Sequence, residues 1–281
     1  MTYSARTSRV AADGAAEEDV IEQGDREKPL LSCQGVRVRF GGIVALDGVT
    51  FDVPRGTIVG VIGPNGAGKT TLFNCINRLY PIDDGDILFD GQSLRALPAH
   101  RISGLGIART FQNVALFDTL TVTENVLLGV RAEESGGFLA HALRFPVAAR
   151  AEKAWAAEVR DLLELLDLTH VAHRRTGELP FGTRKRVELG RALSSKPRLL
   201  LLDEPLAGLH HGEIDELMLL VARVAERLAL SVLLVEHHMN AVMRVSHRVV
   251  VLDFGRKIGD GTPDEVRRDP QVIRAYLGGD A

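Results

Sequence analysis

Two early stretches alternate apolar and polar residues, Val36-Arg37-Val38-Arg39-Phe40 and Val49-Thr50-Phe51-Asp52-Val53. That period of two predicts half-buried strands. A Pro54-Arg55-Gly56 turn follows the second. Thr57 to Ile62 is a continuous apolar strand running into glycine-rich sequence. The middle of the chain differs. Between Val122 and Leu168 there is almost no strand pattern, and apolar residues at 155, 159, 162, 163 and 166 predict one helix face over Ala148 to Leu168. After residue 195 strands return: Leu199 to Leu202 and Val232 to Val235 are short apolar runs, predicted to be buried on both faces. An amphipathic helix is predicted between them, from about Glu213 to Leu228, and a further strand over Arg248 to Asp253. Thr262-Pro263-Asp264-Glu265 reads as a helix start, with Thr as N-cap, Pro at N1 and Glu at N3. Strands alternating with helices argue for an α/β architecture with a parallel sheet.

Residues 1–28 are rich in Ala, Gly, Ser and charge and follow neither period; they read as a disordered extension. The ordered unit is expected over 29–281, with a helical subdomain over about 113–196 inserted in its core. Composition narrows the function. The chain has 281 residues, 45% hydrophobic and 25% charged, with a net charge of −3. That is the balance of a globular protein, and it argues against a nucleic-acid binder. Its two cysteines, Cys33 and Cys75, are expected to be reduced, packed thiols. No apolar run is long enough to span a bilayer, so any membrane role is expected to come through a partner.

The chemistry is concentrated in Gly63-Pro64-Asn65-Gly66-Ala67-Gly68-Lys69-Thr70-Thr71, which fits G-x-x-x-x-G-K-[ST] between a strand and a helix expected to run to about Leu79. Glycines let backbone N–H groups turn inward around phosphate oxygens, and the helix N-terminus adds positive potential. Lys69 is placed to reach the β- and γ-phosphates of ATP, and the Thr70 hydroxyl to ligate Mg²⁺. Leu199-Leu200-Leu201-Leu202-Asp203-Glu204 sets two carboxylates at the C-terminal end of a buried strand, the edge of a parallel sheet where ligands sit. Asp203 is suited to hold Mg²⁺, and Glu204 to polarise a water in line with the γ-phosphate. No internal repeat is present, so one nucleotide-binding unit is expected.

With Ala108-Arg109-Thr110-Phe111-Gln112-Asn113, the Gly182 to Leu193 segment and Leu234-Val235-Glu236-His237-His238-Met239, these motifs follow one another in the order seen in ATP-binding-cassette (ABC) ATPases. The resemblance covers about residues 30–279. It implies a P-loop fold with a RecA-like core, an antiparallel β subdomain and a helical subdomain, and two such domains dimerising head to tail around two ATP molecules. It further implies that Gln112 contacts Mg²⁺ and water and faces the membrane partner, and that His237 contacts the γ-phosphate. Phe40 matches the family's adenine-stacking aromatic; a core Phe ending a strand is the competing reading.

Two departures stand out. The family's signature Leu-Ser-Gly-Gly-Gln is here Leu179-Pro180-Phe181-Gly182-Thr183. The serine hydroxyl is gone and Pro180 has no N–H, while Gly182 still permits close backbone approach to a phosphate. This calls one of the two composite ATP sites into question. Arg184, Lys185 and Arg186 then sit in the first turn of a helix, against its dipole, where a bound anion or solvation would relieve them. His210, His211, His237 and His238 suggest zinc, but no further ligand stands at a spacing that completes a tetrahedral site.

One cassette, without a charged linker to a second and without a long inserted coiled coil, favours a transport subunit over the translation-factor and DNA-repair members. Phe40 to Leu46, Gly106 to Asn113, Glu236 to Met239, the stretch around Gly137 to Arg150 and the ending Val272 to Gly278 resemble the ATPases of branched-chain amino-acid importers. Lipopolysaccharide-export and urea-import ATPases share the general pattern. The resemblance implies permease subunits, a second and different ATPase, an extracytoplasmic solute-binding protein, no nucleic acid, and a peripheral position at the cytoplasmic face of the plasma membrane. An exposed apolar run around Leu116 and Phe117 is one expected permease contact; core packing of both is the other.

Overall fold

The structure, a computed structural model, describes residues 28–110, 115–130 and 146–277. Among the described residues ten strands form two sheets. β1 (Leu31–Phe40), β2 (Ile43–Val53), β4 (Asp84–Phe89) and β5 (Gln92–Ser93) make an antiparallel sheet in the order β2-β1-β4-β5. The other sheet runs β10-β9-β3-β8-β7-β6. Its strands are β3 (Ile58–Ile62), β6 (Ile107–Arg109), β7 (Leu199–Asp203), β8 (Ser231–Val235), β9 (Arg248–Asp253) and β10 (Arg256–Gly261). All pairings there are parallel except β10 on β9.

The unbroken apolar runs are explained by burial on both faces. Leu200 and Leu202 of β7 join one core, with Val232 and Leu234 of β8. That core extends to helix α5 (His211–Arg227) and helix α6 (Met239–Val245), and to the helical subdomain. Leu199, Leu201, Leu233 and Val235 join the other, shared with helix α1 (Lys69–Ile76) and the antiparallel sheet. Each such leucine contributes roughly 1.5–3 kcal/mol on burial. The helical subdomain comprises α2 (Val122–Leu127), α3 (Pro146–Leu165) and α4 (Phe181–Leu193). Its apolar residues Val126, Val159, Leu163, Leu166 and Val187 continue the first core without a break.

Helix starts follow local chemistry. Thr121 caps α2 with Glu124 in a capping box, and Thr262 caps α7 (Pro263–Arg268) with Glu265 in the same way. The last helix, α8 (Pro270–Leu277), follows directly. Helix α1 ends sooner than its pattern suggests, because Arg78 turns left-handed with φ 58°. Cys33 and Cys75 are buried and free; burial pushes both thiols up, Cys75 to about 12, so neither is reactive near neutral pH. The expected disordered extension and the Gly137 end of the extra helical stretch lie outside the described residues.

Leu116 and Phe117 separate. Leu116 packs against the first core, whereas Phe117 is 57% exposed. Packing therefore claims the first residue and leaves the second outward. The three cations at the start of α4 meet acids of their own chain. Arg184 pairs with Asp118 at 2.6 Å and Arg186 with Glu216 at 2.8 Å, while Lys185 is buried 3.9 Å from Glu188. Acids from three different elements offset the unfavourable end of the helix dipole.

Candidate nucleotide site

Parallel pairing brings the C-terminal ends of β3, β8 and β7 side by side. The Gly63–Thr71 loop leaves β3, Glu236-His237 leaves β8, and Asp203-Glu204 ends β7. β6 adds its end at Arg109 beside β7. Four segments separated by up to 170 residues thus share one edge of the sheet, where ligands of open α/β sheets bind.

The phosphate loop is held by close backbone approach. A Cβ on Gly63 would lie 2.2 Å from the Leu252 carbonyl oxygen. Gly68, the N-cap of α1, has φ 101°, and a Cβ there would lie 2.6 Å from the Ala45 oxygen. Only glycine meets both demands. Within the loop, the Ala67 N–H donates to the Pro64 carbonyl at 3.2 Å. Lys69 is buried, and its ammonium donates to the carbonyls of Gly63 at 2.7 Å and Pro64 at 3.0 Å. Burial pulls its pKa below the ordinary lysine value, against the opposing fields of Glu204, Glu236 and Asp203. The cation is thus desolvated and faces three carboxylates across the site. Asn65 and Gly66 are exposed at the loop tip, Thr70 is exposed at the start of α1, and Thr71 is half-buried.

Asp203 is buried and accepts from Arg109 at 2.5 Å; the same guanidinium donates to Asn74 of α1 at 2.8 Å and lies over the Phe73 ring. Arg109 was not singled out from the sequence. Its only local signal is its place three residues before Gln112. Glu204 takes a left-handed backbone, φ 47°, fixed by its N–H donating to the Val235 carbonyl at 2.9 Å. For a side-chain-bearing residue that conformation costs about 1–3 kcal/mol, and such strain clusters at active sites.

His237 is half exposed, with its Nδ1 3.6 Å from the buried Glu236 carboxylate and its ring 4.3 Å from that of His238. His211, His237 and His238 line one cleft of about 390 Å³ with Asp215. Glu236, His237 and His238 are the only trio of possible metal donors among the described residues. Each Glu236 oxygen accepts a backbone N–H group. Phe40 is 45% exposed and meets Tyr80 edge-on at 5.2 Å, which removes the core reading. Gly182 is half-buried, and the space its missing Cβ leaves holds the Glu213 carboxylate, 2.7 Å from the ideal Cβ position. Gln112 lies outside the described residues. A cavity of about 780 Å³ between α3 and α5 lies away from this edge.

A glycine-bound phosphate loop, a desolvated lysine and strand-end carboxylates on a parallel sheet define a P-loop nucleoside triphosphatase. The sequence profile described as "ABC transporter" matches residues 46–207, and one described as "Branched-chain amino acid ATP-binding cassette transporter" matches residues 256–281. The chain belongs to the ABC transporter family, whose ATP-binding subunits couple ATP hydrolysis to transport. It is 41% identical over 251 residues to the high-affinity branched-chain amino acid transport ATP-binding protein BraF of Pseudomonas aeruginosa, covering 89% of this chain and 98% of that one. Identity to LivG of Escherichia coli K12, named likewise, is 40% over the same shares. The ADP conformation of MJ1267, an ATP-binding cassette of an ABC transporter, superposes with a TM-score of 0.76 at 30% identity, over 89% of this chain and 99% of that one. Among the described residues no helix is long and apolar enough to cross a membrane. A subunit of this family works with membrane-embedded permease subunits.

Proposed function

We propose that this chain is one of two ATPase subunits of a branched-chain amino-acid importer. It is held by permeases at the cytoplasmic face of the membrane and served by an extracytoplasmic solute-binding protein. The observation that carries the reading is near full-length likeness, at about 40% identity, to transport ATPases for those amino acids, together with the matching C-terminal segment.

In this reading the loop N–H groups from Gly63 to Thr71 cradle the phosphates of ATP, and Lys69 exchanges its two carbonyl contacts for phosphate oxygens. Phe40, exposed beside Tyr80, offers the ring that stacks on adenine. Thr70 and Asp203, with Gln112, would hold Mg²⁺; hydroxyl, carboxylate and amide are the hard oxygen donors it prefers. A Mg²⁺ ion held by these residues would supply charge neutralisation for the bound phosphates. Arg109 holds the Asp203 carboxylate in place through its hydrogen bond. Glu204 orients a water toward the γ-phosphate and takes its proton, and His237 holds the γ-phosphate oxygens. Phe117 is the residue near Gln112 that a permease helix would reach.

The altered signature supports two different ATPases in one transporter. Pro180 supplies no side-chain cap to α4, Arg184 and Arg186 are committed to acids of their own chain, and the Glu213 carboxylate stands beside Gly182. A partner's γ-phosphate meets little there to bind it. The purified chain carrying Glu204→Gln, with Mg-ATP at micromolar concentration, is expected to stay monomeric by light scattering. It should dimerise when a family member with a complete signature is added. A tight homodimer on its own would contradict the two-ATPase arrangement.

A further inference from the structure

Glu236 is a fully buried carboxylate that the catalytic scheme above leaves without a task. A desolvated carboxylate in such a position must be held by donors. One oxygen, Oε1, accepts the Leu206 N–H at 2.8 Å, and Oε2 accepts the His237 N–H at 3.1 Å. Leu206 stands two residues after Glu204, in the turn closed by the Ala207 N–H on the Glu204 carbonyl. His237 Nδ1 lies 3.6 Å from Oε2, within ion-pair range. The strands themselves pair as far as Glu204 on Val235. The Glu236 side chain continues the connection between β7 and β8 one step further, while its own N–H pairs on the other side with the Val61 carbonyl at 3.4 Å.

We propose that Glu236 is a positioning residue for ATP hydrolysis, tying the turn behind Glu204 to His237 so that carboxylate and imidazole are presented to the γ-phosphate as one rigid unit. The inference rests on the roles given above to Glu204 and His237. With Nδ1 turned to the Glu236 carboxylate, the outer nitrogen Nε2 is the one left for phosphate. Burial pushes the Glu236 carboxyl up, and the N–H groups of Leu206 and His237 oppose that rise by favouring the ionised form that accepts from both.

The test is a double-mutant cycle in the assembled transporter. Glu236→Gln keeps the side chain's size and one acceptor oxygen but turns an amide donor toward a backbone N–H. It is expected to lower kcat about tenfold or more, with the ATP Kd within about threefold of the parent. In a His237→Ala background the same change is expected to cost clearly less than in the parent, because only the tie to the turn behind Glu204 is left for it to act through. Unchanged kcat in Glu236→Gln would overturn the proposal, as would equal factors in both backgrounds. Loss of ATP binding and thermal stability together with kcat would also overturn it, since that marks a structural role alone. If His237→Ala by itself left turnover unchanged, the role given to His237 would fall first and the tether with it, which distinguishes that failure from the others.

Discussion

Replacing Glu204 by Gln is expected to lower ATP turnover of the assembled transporter about 10²–10⁴-fold, the usual contribution of a general base. The backbone at Glu204 is fixed independently of its side-chain charge: φ 47° is held by the Glu204 N–H donating to the Val235 carbonyl. Gln fills the same space, so the loop keeps its course and ATP still binds. Only the ability to take a proton from water is removed. Direct measurement of phosphate release and of ATP affinity separates the two steps. Turnover within about tenfold of the parent would take Glu204 out of the role assigned to it.

Lys69→Ala is expected to weaken ATP binding by about 10²-fold or more, the equivalent of two charge-assisted hydrogen bonds. Lys69 is buried and held by the Gly63 and Pro64 carbonyls. Removing it leaves two carbonyls without that donor, but it also removes a desolvated cation. The two effects oppose each other, so the melting temperature should move by only a few degrees. Calorimetric ATP titration beside a thermal melt gives both quantities. Parental affinity in Lys69→Ala would contradict the phosphate-binding role. A collapse in melting temperature would show that the lysine mainly holds the loop together.

Strands buried on both faces were legible because burial leaves no polar position to interrupt them, as in Leu199–Asp203 and Ser231–Val235. Strands β4, β6 and β10 were not. Asp84–Phe89 begins with Asp-Gly-Asp, Ile107–Arg109 is three residues long, and Arg256–Gly261 carries two glycines and a bulge. Those segments become strands because β1, β7 and β9 offer them an edge; for β4 and β6 that neighbour is remote in the chain and writes nothing into the local pattern, and in β10 the glycines and the bulge blur the alternation. The same applies to the site. The phosphate loop and the Asp203-Glu204 pair are contiguous and were readable. The Arg109–Asp203 pair and the Leu206–Glu236 hydrogen bond join distant segments and emerge only from the sheet order. The three cations of α4 show the limit from the other side. Local electrostatics marked them as unfavourable, and Asp118 and Glu216, from elsewhere in the chain, offset them.

The central claim is that ATP hydrolysis at this edge energises branched-chain amino-acid import. It is tested most directly by leucine uptake into proteoliposomes holding this chain, its co-purifying permeases and second ATPase, with ATP enclosed and the solute-binding protein outside. The account predicts leucine accumulation that requires ATP and disappears with Glu204→Gln. Sustained ATP hydrolysis by the complex, with no uptake of leucine, isoleucine or valine, would contradict it.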